Sequence, residues 1–293
     1  MLADCYRRRA FALGLPGADG DLVAGLPVVE FRDPLLGRRR WASLPYTDVC
    51  APLAATRAAA EQLAGALEEA RRAARVNRLQ VRSSLPVEAA QRRTVGLRHT
   101  LELEPDPAAV FRRLHRAQAQ RNIMRARREG VTVRAAERVD DLDRIFYGLQ
   151  TETRRRIGAL IQPRRFYTLL WHRMLAAGHG VLLLAYHDGA PVAGAVFLRA
   201  GGIVTYKFGA SLKSYWHTRA NALLFWTMIE SACLSGATEL GYGRTELPHE
   251  SLRTFKRYWS TDESPLVHTI GTPAHKQSSR RVLKAKRASR WSP

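Results

Sequence analysis

The chain of 293 residues is long enough for one large domain or two of ordinary size, and its 46% hydrophobic and 25% charged residues are those of a soluble globular protein. No apolar run approaches about 20 residues, which excludes a transmembrane helix. Lys and Arg number 47 against 26 Asp and Glu, a net charge of +21 that attracts nucleic acid, anionic lipid headgroups or acidic ligands in a salt-dependent way. The cations are mostly arginine and alanine is abundant, as in proteins of GC-rich genomes, so the charge speaks to association and not to fold. Cys5, Cys50 and Cys233 lie far apart with no metal-ligand spacing, the pattern of reduced thiols in a cytoplasmic protein. Gly, Pro and Asp interrupt the start of the chain too often for the apolar core of a signal peptide. The expected place is the cytoplasm, with any membrane contact peripheral, at the inner face.

Residues 1–20 read as irregular. Asp21 to Phe31 reads as strand, and turn formers at Asp33-Pro34 and Gly37 lead to a short strand around Trp41 to Leu44. Thr56 to Val76 is a helix rich in Ala, Leu and Glu, with Thr56 as its N-cap. "RLQVRSS" and "TVGLRHTLEL" follow as strands, the second alternating with the period of a half-buried sheet. Asp106 to Val131 is predicted as one helix, capped by Asp106, opened by Pro107 and closed by Gly130. Val110, Leu114, Ala117, Ile123 and Met124 form its apolar stripe, and arginines crowd the rest as a solvated face or a cationic track.

After residue 130 come a strand, two helices and then Gly180 to Ser211. That stretch holds three strands, with turns at His187-Asp188-Gly189 and Ala200-Gly201-Gly202. A helix "TRANALLFWTMIESACLSG", a strand "TELGYG", a helix "HESLRTFKRYW" and a strand "PLVHTIG" close the second half. The layout is α+β, with helices on a mixed, mostly antiparallel sheet. Residues 273–293 contain no acidic residue and read as a disordered basic tail.

"LLLAYHDGAPVAGAVFL", "YKFGAS", "RANALLFWTMIESACLSGATELGYGR" and "LRTFKRYW", preceded by "AGLPVVEFRDPLLGRRRWASLPYTDVCAPL", resemble in that order the FemAB-like branch of the GNAT-type N-acyltransferases. The resemblance spans most of Leu22 to Ile270. It implies two tandem GNAT-like domains, at 21–130 and 131–272, the first shortened at its N-terminus because Met1 to Gly20 stand in place of a leading helix and strand. It also implies transfer of an acyl or aminoacyl group from an anionic co-substrate, aminoacyl-tRNA or acyl-CoA, to an amine acceptor, with no permanently bound cofactor. tRNA is then a candidate partner. Gly241 stands where the family has an aspartate, and Ser260 where it has a glycine. The Q/R-x-x-G-x-G/A loop that cradles coenzyme A pyrophosphate is lacking, which weakens an acyl-CoA donor.

Such a transfer needs a neutral amine, a stabilised oxyanion and a place for the leaving group. Lys256, in the family's Phe-Lys pair, is the first candidate for the cation, with Phe255 beside it; otherwise it is a surface lysine on an amphipathic helix. Arg244 follows a strand end flanked by Gly241 and Gly243, where it can grip a phosphate or pair with Glu246. Lys207 lies mid-strand next to Tyr206, lining a cleft or snorkelling to an edge. Asn221 starts a helix and can simply cap it, and Tyr242 can donate to a carbonyl or sit in the core. His217, His249 and Glu246 are the nearest bases in sequence, none preferred. Arg154, Arg155 and Arg156 end a helix where substrates enter in the family, and an anionic acceptor would give them a use. The leading expectation is an acyltransferase acting on a cell-envelope or polysaccharide precursor. The alternative is a degenerate GNAT-like module that binds RNA or an anionic membrane.

Overall fold

A computed structural model describes residues 1–85 and 91–271; the expected tail at 273–293 lies outside them. The first half runs α1 (Leu2–Tyr6), β1 (Ala10–Pro16), β2 (Leu22–Arg32), β3 (Arg39–Ser43), β4 (Leu53–Ala54), α2 (Arg57–Ala73), β5 (Arg78–Val81) and β6 (Gln91–Glu102). Then come α3 (Pro107–Arg113), α4 (Arg121–Arg128), β7 (Thr132–Ala135), α5 (Tyr147–Arg156) and α6 (Arg164–Leu170). The chain closes with β8 (Gly180–His187), β9 (Ala190–Ala200), β10 (Ile203–Ser211), α7 (Ala220–Leu234), β11 (Glu239–Thr245), α8 (Glu250–Arg257) and β12 (Asp262–Gly271).

Local chemistry accounts for many of these boundaries. Thr56 Oγ1 accepts from the Ala59 amide at 3.1 Å and starts α2. The Asp106 carboxylate accepts from the Ala108 and Ala109 amides at 2.9 and 3.2 Å and starts α3. Two-residue turns with positive φ, Asp188-Gly189 and Gly201-Gly202, reverse the chain between β8, β9 and β10, as their residue types require.

Two expectations fail. The segment 1–20 is not irregular and the start of the first half is not bare. β1 pairs antiparallel with β2 from Ala10↔Val29 to Pro16↔Leu22, and Phe11, Leu13 and Leu15 turn inward against the first core. α1 packs instead on the second half, with Met1, Leu2, Cys5 and Tyr6 against its core. The helix expected over 106–131 is also broken. Leu114 and His115 take extended ψ values of 150° and 119°, which lets the His115 amide donate to the Tyr258 carbonyl at 3.2 Å. The side chain of Gln120 caps the freed Leu114 carbonyl at 2.8 Å. The break shifts the apolar stripe, so Ala119 and Ala126 are buried where Met124 faces solvent. The arginines there form a solvated face, Arg113 pairing with Glu104 and Arg125 with Glu129.

The strands form one sheet in the order β1-β2-β3-β5-β12-β6-β11-β10-β9-β8-β7, with β4 beside β2. Neighbours are antiparallel except β3–β5 and β10–β11. The last strand, β12, thus enters the first half between β5 and β6, while Val110 of α3 and Ile123 of α4 join the core of the second. Strand alternation feeds two cores from one sheet: Leu182 and Leu184 of β8 face α5 and α6, whereas Leu183 and Ala185 face α7. Among the described residues no helix is long and apolar enough to cross a membrane.

Candidate functional site

The sheet opens between β10 and β11. These strands pair in parallel only at Ile203↔Glu239, Val204↔Leu240 and Thr205↔Gly241, then part. Each strand has a local cause for leaving. β10 is bulged at Lys207, the residue skipped between Tyr206 and Phe208 in its pairing with β9. β11 breaks register between Gly241 and Arg244, where Gly243 has φ +69°. A Cβ on Gly243 would lie 2.9 Å from Asp48 Oδ2, so both conformation and space call for glycine there. Gly241 is different, because the nearest atom to its missing Cβ is 3.9 Å away.

The fork holds a cleft of about 200 Å³ that brings together five of the expected residues: Tyr206, Asn221, Tyr242, Phe255 and Lys256. Lys256 reaches in from α8, 6% exposed, and its Nζ donates to the Gly243 and Arg244 carbonyls at 3.0 Å each. Burial pulls its pKa down to about 8, against the opposing pull of Asp48. Tyr242 is 2% exposed and its hydroxyl has no partner among the described residues. Burial pushes that phenol far up, and pushes Tyr206 up to about 12, so both stay protonated donors. The Tyr206 hydroxyl lies over Gly209, where a Cβ would sit 1.8 Å from it. Asn221 does not cap α7 with its side chain; its Nδ2 donates to Ser211 Oγ at 3.2 Å. Phe255, 40% exposed, stands at the mouth.

A larger cavity of about 410 Å³ shares Ser211, Asn221 and Phe255 with the cleft and continues past Gln118, Tyr215, Trp216 and Tyr258. The buried Trp259 indole N–H at its wall has no partner among the described residues.

Lys207 and Arg244 do not join this cleft. They line a separate hollow of about 310 Å³ with Asp48 and Arg98: Lys207 follows Tyr206 and so points to the opposite face of β10, and the register break at Gly243 separates Arg244 from the side of Tyr242. Lys207 Nζ donates to the Tyr46 carbonyl, and burial lowers its pKa. The Arg244 guanidinium pairs with Glu246 at 2.7 Å while its amide donates to Asp48 at 3.1 Å. Of the run ending α5, Arg156 donates to the Ser211 carbonyl at 3.0 Å and lies over the Trp216 ring at 4.9 Å. Arg154 is close enough to Tyr206 to oppose the rise in its pKa, and Arg155 is exposed. His217, His249 and Glu246 are exposed and line none of the three hollows, which leaves Lys256 as the basic group of the cleft.

Two groups escape the sequence. Asp48, carried by the loop after β3, reaches the fork from far along the chain. Glu263 of β12 anchors α8: it accepts from Arg253 at 2.6 and 2.8 Å and from Arg257 at 3.0 and 3.1 Å, and meets His99 Nε2 at 2.9 Å. Arg253 and Arg257 bracket Lys256, so this cluster sets where the ammonium points.

Residues 113–257 match the family model described as acetyltransferase (GNAT) domain. No curated protein sequence matches the chain. Among solved structures, FemX is similar at 14% identity and TM-score 0.74, over 90% of this chain and 88% of that one. The C-terminal domain of a putative lysylphosphatidylglycerol synthetase from Agrobacterium fabrum is similar at 13% identity and TM-score 0.63, over 90% and 85%. L-PGS from Bacillus licheniformis is similar at 12% identity and TM-score 0.60, over 92% and 85%. The chain carries a GNAT acyltransferase domain, and its fold over most of its length is that of the FemAB-like branch.

Proposed function

We propose that the chain is an N-acyltransferase whose reacting carbonyl lies in the β10–β11 fork. It moves an acyl or aminoacyl group from an anionic co-substrate, aminoacyl-tRNA or acyl-CoA, to an amine of a cell-envelope or polysaccharide-related acceptor. One observation carries the reading: a buried ammonium, Lys256, faces the same small cleft as two phenols that burial keeps protonated. The match to a GNAT family model supports the reaction class, and the lysylphosphatidylglycerol synthetase among the structural neighbours supports an aminoacyl group and an envelope-related acceptor.

The chemistry follows from these groups. A neutral amine attacks the carbonyl carbon of the donor ester or thioester, and the carbonyl oxygen becomes an oxyanion. Two of the Lys256 N–H bonds are held by backbone carbonyls, which fixes the ammonium and leaves a third N–H beside the cleft. The Tyr242 hydroxyl, without a partner among the described residues, is a second donor at the same place. Preorganised donors of this kind act where charge develops, and removing one costs roughly 10²–10³-fold in rate. The attacking amine loses its proton to water, and the C–O or C–S bond to the donor breaks as the leaving group takes a proton.

The test is transfer of label from aminoacyl-tRNA or acyl-CoA pools, compared between wild type and Lys256→Ala with folding checked by circular dichroism. Transfer that Lys256→Ala abolishes supports the reading. Salt-sensitive RNA binding with no transfer from either pool sinks it in favour of a binding module.

A further inference from the structure

We propose that the loop Ile157–Pro163, between α5 and α6, docks the protein on an anionic bilayer by inserting aliphatic side chains between arginines. Leu160 at its tip is 95% exposed and Ile157 is 60% exposed. Exposure alone does not single the loop out, since Leu35 is 93% exposed as well; the charge around these two side chains does. The loop is fixed from both ends. Gly158, at φ +67°, ends α5 with its amide on the Arg155 carbonyl at 3.2 Å, and the Ala159 amide donates to the Arg154 carbonyl at 3.0 Å. Beyond the tip, Ile161 packs against the core and Gln162 accepts from the Tyr167 hydroxyl at 3.2 Å. The apolar tip is therefore held outward by structure.

Charge surrounds it. Arg154, Arg155 and Arg156 precede the tip and Arg164 and Arg165 follow it, while Glu152 is the one acidic residue from Thr151 to Arg173. Among the described residues none of these five arginines pairs with a carboxylate. Trp216, 45% exposed, lies under Arg156 and gives the patch an aromatic group of the type that settles at headgroup level. Aliphatic tip, flanking arginines without carboxylate partners among the described residues and interfacial indole together fit an anionic lipid surface. A nucleic acid would use the arginines and leave Leu160 in water. Because Trp216 also lines the larger cavity, docking by this patch turns that cavity toward the bilayer. The inference rests on exposure and charge and stands apart from the reaction proposed above.

The experiment is sedimentation of the full chain with vesicles of phosphatidylglycerol and phosphatidylcholine, against phosphatidylcholine alone, at about 0.15 M salt. Leu160→Asp and Ile157→Asp change only exposed side chains, and circular dichroism confirms their fold. Binding to the anionic vesicles is expected, weakened about tenfold or more by either variant, since each loses the burial of one aliphatic side chain and adds a like charge to the lipid. Vesicles are read without turnover, so an inactive enzyme leaves the outcome intact. No binding to anionic vesicles overturns the proposal. So does binding that Leu160→Asp and Ile157→Asp leave unchanged, which would assign the affinity to basic charge elsewhere, and so does displacement from vesicles by an RNA oligonucleotide with equal RNA affinity in all three proteins.

Discussion

The two halves of the sheet each contain one parallel strand pair joined through a helix, and the two forks have opposite fates. In the first half β3 and β5 pair at Arg40↔Arg78, Trp41↔Leu79 and Ala42↔Gln80, with α2 between them in sequence. Past that point the fork is closed. Ser43 Oγ accepts from the Arg82 amide at 2.8 Å, the Cys50 amide donates to the Arg82 carbonyl at 2.9 Å, and Thr269 of β12 binds the Ser83 carbonyl at 2.8 Å. In the second half β10 and β11 also pair at three positions, with α7 between them, but the fork stays open around Lys256, Tyr206 and Tyr242. A small hydroxyl and a neighbouring strand satisfy one set of backbone groups; a glycine turn and a long cation satisfy the other. The second arrangement encloses a cleft of about 200 Å³. The first half still serves it, because the loop that leaves the closed fork delivers Asp48 to Arg244 and sets the Tyr46 carbonyl against Lys207.

The largest effect should come from breaking the open fork at its cation. Lys256→Ala is expected to lower kcat/KM for transfer by roughly 10²–10³-fold; a variant with near wild-type transfer would remove Lys256 from the reaction. The pH dependence sharpens the same point. Transfer that needs the ammonium should decline as pH rises through about 8, whereas transfer that uses Lys256 as a base should rise there. Stability should move the other way. Folding lowers this pKa from 10.5 to about 8, so between these values the unfolded chain binds more protons and the folded state gains stability with rising pH. The gain is read as the difference in denaturant midpoint between wild type and Lys256→Gln across that window.

Gly243→Ala should come next. An alanine at φ +69° costs about 1–2 kcal/mol, and its methyl group displaces the Asp48 carboxylate from the Arg244 amide. Both a lower melting temperature and slower transfer are expected. Gly241→Ala, whose Cβ would meet the Val204 carbonyl at an ordinary contact distance of 3.9 Å, is the control that should leave stability within about 0.5 kcal/mol.

How much of this was legible in the sequence depends on the distance over which each feature is decided. The cap at Thr56 and the positive-φ turns of the β8–β10 meander are local, and local chemistry identifies them, whereas β6 departs from the alternation expected of it by burying His99, Thr100 and Leu101 in succession. β1 does alternate, in Phe11, Leu13 and Leu15, but Gly14 and Pro16 disguise a strand that its pairing with β2 makes secure. The insertion of β12 between β5 and β6 leaves no local mark, since it is a matter of partner choice. The site divides in the same way. The order of motifs brings Tyr206, Asn221, Tyr242, Phe255 and Lys256 to one cleft. Lys207 goes to the far face because the strand alternates, and the bulge that singles it out is invisible without its neighbour. Asp48 and Glu263 act across the fold on groups far from them in sequence, and neither carries a local signal of that role.

The smallest effect tests whether the closed fork is only scaffold. Ser43 is fully buried, and its hydroxyl is the link between the end of β3 and the amide of Arg82. Ser43→Ala leaves that amide without a partner, at a cost of about 1–3 kcal/mol. If the two forks have parted roles as their side chains indicate, the variant should melt earlier while kcat and KM for transfer stay at wild-type values well below the new midpoint. A fall in kcat at a temperature where the variant is fully folded would mean that Ser43 acts through the loop it borders, on the placement of Asp48, and that the two forks work as one unit.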